Sequence, residues 1–272
     1  MKLVAEIGIN GLGNIDLTKK LIDVAVLGGC FAVKFQKRTI ENVYTEAELD
    51  KLRESPYGKT NRDLKNQLEY SKEDYDEIDR YCKEKGIKWY ASPWDCASVD
   101  FLMQYDIPFI KVASASNTDI ELLEKIKETG KPIILSTGMT SPEELNNALG
   151  ILGDSVEYIL STTSTYPTSD EDMNMNRIKT LQDFYGHKYK IGFSNHSPGI
   201  HFITMAYALG CEMAEYHITL DRAMYGSDQS ASIEIPGVLK IKDILNSYKK
   251  SWGDGVIRCL DSEIPIKKKL RK

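Results

Sequence analysis

The sequence predicts a single (β/α)8 barrel of the TIM type, and three observations carry that expectation. Eight short β-rich apolar runs recur along the chain, and a helical pattern follows each one. The runs are almost continuously apolar, as strands buried on both faces must be. A length of 272 residues suits one such domain.

Taken in order, LVAEIG (3–8) precedes a helix over 16–29. FAVKFQ (31–36) is separated from its helix (71–86) by the one segment that breaks the period. That segment, 37–70, is charged and far longer than the usual connection of about 2–6 residues, which predicts an active-site lid or a mobile insertion. KWYASPW (88–94) leads to 97–106, PFIKVAS (108–114) to 119–130, and PIILSTG (132–138) to 141–152. EYILST (157–162) leads to 176–186, KIGFSN (190–195) to 199–210, and MAEYHIT (213–219) to 234–253. Ser141-Pro142-Glu143-Glu144 marks a helix start, while Gly130, Gly186 and Gly210 mark ends. The barrel is expected over 1–260, with 261–272 a solvated basic tail.

Composition narrows the function. A hydrophobic share of 42% with 28% charged residues belongs to a globular chain. A net charge of -5, from 35 Lys and Arg against 40 Asp and Glu, argues against nucleic acid as a partner. The opening MKLVAEIGIN is neither a signal peptide nor a membrane span, so a cytoplasmic protein is expected. Five scattered cysteines without a C-x-x-C pair encode no disulfide framework or zinc ribbon and read as small buried hydrophobes.

Barrel enzymes build their sites at the C-terminal ends of the strands, and those ends are polar here. Strand one carries Glu6, and strand two carries Lys34 and Gln36 on one face. Ser92, Lys111, Ser114 and Ser136 follow, then Ser164 and Tyr166, then Ser194, His196 and finally His217. Lys34 and Lys111 sit in apolar runs, where an unpaired ammonium is expensive, so each needs an anion. Together with the hydroxyls they suit a small phosphorylated, carboxylated ligand. Pairing with Glu6 or another core carboxylate is the alternative, and a Schiff-base role is open to either lysine. His196 and His217 emerge at adjacent strand tops and could share a metal ion or simply hydrogen-bond. Gly11-Leu12-Gly13 fails as a dinucleotide fingerprint because Asp16 stands where a third glycine belongs.

In order along the chain, AEIGIN (5–10), VKFQ (33–36), ASPW (91–94), KVAS (111–114) and ILSTGM (134–139) resemble the sialic acid (N-acetylneuraminate) synthase family. TSTYP (163–167), GFSNHS (192–197), EYHITLD (215–221) and GSDQSAS (226–232) extend the resemblance over nearly the whole chain. It implies a transferase that condenses phosphoenolpyruvate (PEP) with a sugar aldehyde and releases phosphate. Lys34, Ser92, Lys111, Ser114, Ser136, Ser164 and Ser194 fall on PEP-holding positions, and His196 and His217 on metal-binding ones. The implied metal is divalent, typically manganese, with magnesium or cobalt as alternatives. Glu6, Gln36, Tyr166 and Asp228 fall around the reacting centre and acceptor, with Glu6 the expected proton handler. A homodimer is the implied assembly.

Gly11, Leu12, Ser116, Asn195, Tyr216 and Gln229 depart from the family pattern. Because they spare the PEP and metal positions, they are expected to lie around the acceptor. The family continues into a small antifreeze-like domain, whereas this chain ends at SEIPIKKKLRK (262–272), which is expected to remove an acceptor contact unless 37–70 or another polypeptide replaces it. An acceptor other than N-acetylmannosamine at family efficiency is therefore expected. A Schiff-base aldolase and a non-catalytic PEP- or metal-binding barrel are the competing readings.

Overall fold

The apolar runs form strands, and eight of them close on one another. The computed structural model describes residues 1–272. The chain begins with β1 (Lys2–Glu6), α1 (Ile15–Leu27) and β2 (Ala32–Lys37). The long charged loop expected as an active-site lid or a mobile insertion carries secondary structure of its own: α2 (Ile40–Val43), α3 (Glu46–Leu49), a hairpin of β3 (Leu52–Ser55) and β4 (Gly58–Thr60), and α4 (Asn61–Leu68). Then come α5 (Lys72–Lys85), β5 (Lys88–Pro93), α6 (Cys96–Leu102), β6 (Ile110–Val112) and α7 (Ile120–Glu128). The second half holds β7 (Ile133–Ser136), α8 (Pro142–Leu152), β8 (Val156–Thr162) and α9 (Arg177–Tyr185). It finishes with β9 (Lys190–Asn195), α10 (Ile200–Ala208), β10 (Met213–His217), α11 (Ile235–Ser251) and α12 (Ile264–Leu270).

The other eight strands form a closed parallel barrel in the order β1-β2-β5-β6-β7-β8-β9-β10, with β10 returning to β1. Local chemistry fixes the helix ends: Ser71 with Asp74, and Ser141 with Glu144, form reciprocal capping boxes, and Pro142 occupies the first turn of α8. Closure leaves no open edge on the barrel sheet. The bottom of the barrel is plugged by rings, and Lys2 places its ammonium 4.7 Å from Phe31, 5.4 Å from Phe109 and 5.2 Å from Tyr158.

The charge of residues 37–70 is spent internally: Arg62 gathers Glu46 and Asp50, while Leu49 and Leu64 are buried beneath. Residues 252–272 are exposed throughout, α12 included. Cys82 and Cys211 are buried as expected, but Cys30 and Cys96 are half-buried and Cys259 is exposed. No helix is long and apolar enough to cross a membrane.

Candidate active site

Parallel register decides which side chains meet. It sets Glu6 opposite both Lys34 and His217, Gln36 opposite Ser92, and Thr162 opposite Ser194. The strand tops thereby enclose a cavity of about 170 Å³. It is lined by Glu6, Lys34, Gln36, Ser92, Lys111, Ser114, Ser136, Ser164, Tyr166, Ser194, His196 and His217. Of the residues expected to hold PEP or metal or to surround the reacting centre, Asp228 alone lies outside this lining. It belongs to an adjoining outer chamber of about 680 Å³, and its Oδ2 lies 3.6 Å from His217 Nδ1.

The two lysines differ. Lys34 Nζ is 2.9 Å from Glu6 Oε2 and 3.7 Å from Glu215 Oε1, and it donates to Ser92 at 3.3 Å. Burial opposes its charge, but Glu215 and Glu6 more than compensate and its pKa rises. Lys111 donates to Ser136 Oγ at 2.5 Å and to the Val112 carbonyl at 3.2 Å, with no carboxylate in ion-pair range. Burial pulls it down to about 8. Lys34 thus combines the anion-clamp and carboxylate-pair expectations, whereas Lys111 is the cation left to meet a ligand.

His196 accepts a defined tautomer. The Thr163 carbonyl, 2.6 Å from Nδ1, can only accept, so Nδ1 carries the proton and the Nε2 lone pair faces the Tyr166 hydroxyl at 3.0 Å. Burial, then His217, keeps the imidazole neutral. His217 Nδ1 is buried without a hydrogen-bond partner, and the two rings stand 5.3 Å apart. Two imidazoles facing one space fit an open metal site whose other ligands come from water or substrate. No third His, Cys, Asp or Glu joins them.

Sequence reasoning missed four residues here. Glu215, buried, accepts from Ser194 at 3.3 Å, and its carboxyl is held low because Lys34 and Lys111 outweigh its burial. Trp94 lines both spaces and its buried indole N–H is unpartnered. Arg38 and Glu69 line the outer chamber. Two glycines make room for this chemistry. A Cβ on Gly8, at φ +46, would sit 2.6 Å from Glu6 Oε1 and 2.9 Å from Gln36 Nε2, and one on Gly138 would collide with the Ser164 hydroxyl.

The NeuB family profile matches residues 21–257. Human N-acetylneuraminate-9-phosphate synthase is 34% identical over 274 residues, covering 99% of this chain and 76% of that protein. The chain belongs to the NeuB family. The N,N'-diacetyllegionaminic acid synthase of Campylobacter jejuni is 33% identical, covering 96% of this chain and 80% of that one. Among solved structures, the N-acetylneuraminic acid synthetase of Leptospira borgpetersenii, in complex with citrate, matches at a TM-score of 0.83 and 28% identity. That match covers 99% of this NeuB-family chain and 92% of the other.

One expectation for this NeuB-family chain is corrected. Gly11, Leu12, Ser116, Asn195, Tyr216 and Gln229 line neither the cavity nor the chamber. Tyr216 points through the wall to Cys30 at 3.4 Å, and Asn195 turns to the Ser197 carbonyl at 2.6 Å. Gln229 bonds Thr219, and Gly11 is packed so closely by Tyr70 and Thr18 that a Cβ there would collide with the Tyr70 hydroxyl. In this chain, therefore, none of the six departures places its own side chain against the acceptor space.

Proposed function

We propose that this protein condenses PEP with a sugar aldehyde and releases inorganic phosphate, as a sialic or nonulosonic acid synthase. The observation that carries this is the buried Lys111, a cation without a carboxylate partner, ringed by serine hydroxyls at the mouth of a NeuB-family barrel. Lys111 and Lys34 hold the PEP anion, and the hydroxyls of Ser92, Ser114, Ser136, Ser164 and Ser194 fill its remaining hydrogen-bonding positions. The acceptor occupies the outer chamber, with its aldehyde at the Gln36, Trp94 and Tyr166 boundary.

Carbon 3 of PEP attacks the aldehyde carbon, and the carbonyl oxygen takes a proton to become a hydroxyl. Water adds to the cationic carbon 2, and Glu6 accepts the proton that this water loses. The carbon–oxygen bond to phosphate then breaks as the proton of the new carbon 2 hydroxyl passes to the departing phosphate, leaving a 2-keto acid, and the proton held by Glu6 balances the one taken up by the acceptor oxygen. Tyr166 and Gln36 orient the acceptor, and Asp228 lies beside His217 at the chamber edge. His196 and His217 would hold a divalent metal, for which manganese is the ion the family resemblance implies, and when bound it supplies Lewis acidity toward the aldehyde oxygen. A cytoplasmic homodimer is the acting form we propose on the same resemblance.

The test is phosphate release from PEP with a panel of hexosamine-type aldehydes, with and without chelator. Release dependent on both the aldehyde and added manganese is expected, and its absence with every aldehyde sinks the proposal. The lowered pKa of Lys111, to about 8, also favours a Schiff-base aldolase. Borohydride trapping with a keto acid separates the two, because only the aldolase leaves a covalent adduct.

A further inference from the structure

The alternation of β2 continues past its last residue. Lys34, Gln36 and Arg38 stand at every second position, and Arg38 is buried at 9% exposure. Its guanidinium carbon lies 4.3 Å from the centre of the Trp94 ring. Nη1 donates to Glu69 Oε1 at 3.3 Å, and Nη2 donates to Gln36 Oε1. Glu69, just beyond α4, also accepts from the Arg38 backbone N–H at 3.1 Å and from Lys37 Nζ at 3.5 Å. One carboxylate from the insertion therefore clamps the end of β2.

A guanidinium only donates and a carboxylate only accepts. Gln36 sits between one of each, with Oε1 toward Arg38 and Nε2 donating to Glu6 Oε1 at 2.9 Å. The amide therefore has a single workable orientation. Turned over, it would set NH2 against the guanidinium and carbonyl against the carboxylate, two repulsive contacts in place of two hydrogen bonds. Held as it is, it fixes one oxygen of Glu6 and leaves the other 2.9 Å from Lys34 Nζ.

We propose that Arg38 and Glu69 are positioning residues, which act through the Gln36 amide to hold the Glu6 carboxylate in its working orientation. The folded insertion thereby sets turnover from outside the strand-top cavity. The role of Glu6 in turnover rests on the function proposed above, whereas the locking of Gln36 does not.

The experiment uses the full chain. Arg38→Met should lower kcat for phosphate release by about tenfold with the KM for PEP within about twofold. Arg38→Lys keeps a cationic donor and should recover most of the loss, and Glu69→Gln should cost about threefold. The penalty should vanish in a Gln36→Leu background, since both changes break one chain of contacts. A raised acceptor KM at unchanged kcat, or additive losses with Gln36→Leu, would overturn the proposal by making Arg38 a direct acceptor contact. Nitrogen-15 NMR reads the lock without turnover: the Gln36 side-chain NH2 protons should exchange slowly in the parent chain and at solvent-like rates in Arg38→Met. Unchanged Gln36 exchange also overturns the positioning role. A normal Gln36 response in a chain that releases no phosphate with any aldehyde counts against the proposed reaction instead, and leaves the lock itself established.

Discussion

The strand-top cavity and the outer chamber share Gln36, Trp94 and Tyr166 as a common wall, yet they are built by different means. The cavity takes one or two polar side chains from each strand, and their mutual placement follows from parallel register. The chamber takes its walls from the insertion, through Tyr44, Arg53 and Lys65, and from the loop over 224–228. Moving a cavity residue means moving a strand, whereas the chamber can be remodelled by changing two surface segments. On the proposed assignment the reacting groups are carried by the barrel strands and the acceptor space largely by the additions, with Glu69 the one contact by which the insertion reaches back to the end of β2.

The sharpest break of that comparison is at the histidines. His196→Ala or His217→Ala should lower phosphate release by more than about a thousandfold while the circular dichroism spectrum stays native. Comparable loss from a change confined to the chamber, such as Arg53→Ala, would show that the two spaces do not divide chemistry from recognition. Retained activity in the chelator-treated double histidine variant would remove the histidines from the reaction altogether.

The lysines come next, and they should separate stability from binding. Lys34→Met leaves Glu6 and Glu215 buried together without their shared cation, which should cost about 3–5 kcal/mol of stability. Lys111→Met should do the opposite. Its folded pKa of about 8 lies below its ordinary value of 10.5, so at neutral pH the folded chain bears the whole cost of burying the ammonium. Between pH 8 and 10.5 the unfolded chain alone still binds that proton, so stability rises with pH across this window. Replacing Lys111 should thus stabilise the chain at pH 7 by up to about 3 kcal/mol and flatten that rise, read by denaturant unfolding. The same variant should bind PEP about 10- to 100-fold more weakly by calorimetry. In the parent chain PEP affinity should fall about tenfold per pH unit above 8, as Lys111 loses its proton. A flat affinity profile from pH 7 to 10 would move the anion site away from Lys111.

What was legible in the sequence follows the same division. Strand period gave the eight barrel strands and placed twelve of the expected side chains in one cavity. The period of two also held signals that went unused. Glu215 is two residues from His217, Trp94 two from Ser92, and Arg38 two from Gln36, so each shares a face with a residue already identified. By that rule Asn195 and Tyr216, each next to a cavity residue, had to face away from the cavity, and their departures from the family pattern could not reshape it. Glu69 carried no such signal. Its place beside Arg38 depends on how the insertion packs across the barrel top, and the charge of 37–70 masked the buried Leu49 and Leu64 that fold it.

The smallest expected effect tests the chamber roof. Tyr57, at the turn between β3 and β4, meets Tyr225 edge-on with ring centres 5.9 Å apart, and this pair ties the insertion to the loop over 224–228. An aromatic pair of this geometry contributes about 0.5–1.5 kcal/mol beyond its buried area, equivalent to roughly 2- to 10-fold in an equilibrium. Tyr57→Ala should therefore raise the acceptor KM by about that factor, because the roof is held closed less of the time. Neither tyrosine lines the cavity, which lies behind Gln36, Trp94 and Tyr166, so the Kd for PEP should stay within about twofold. If PEP binding weakens in step with the acceptor, the roof closes over both substrates at once, and cavity and chamber are one site rather than two.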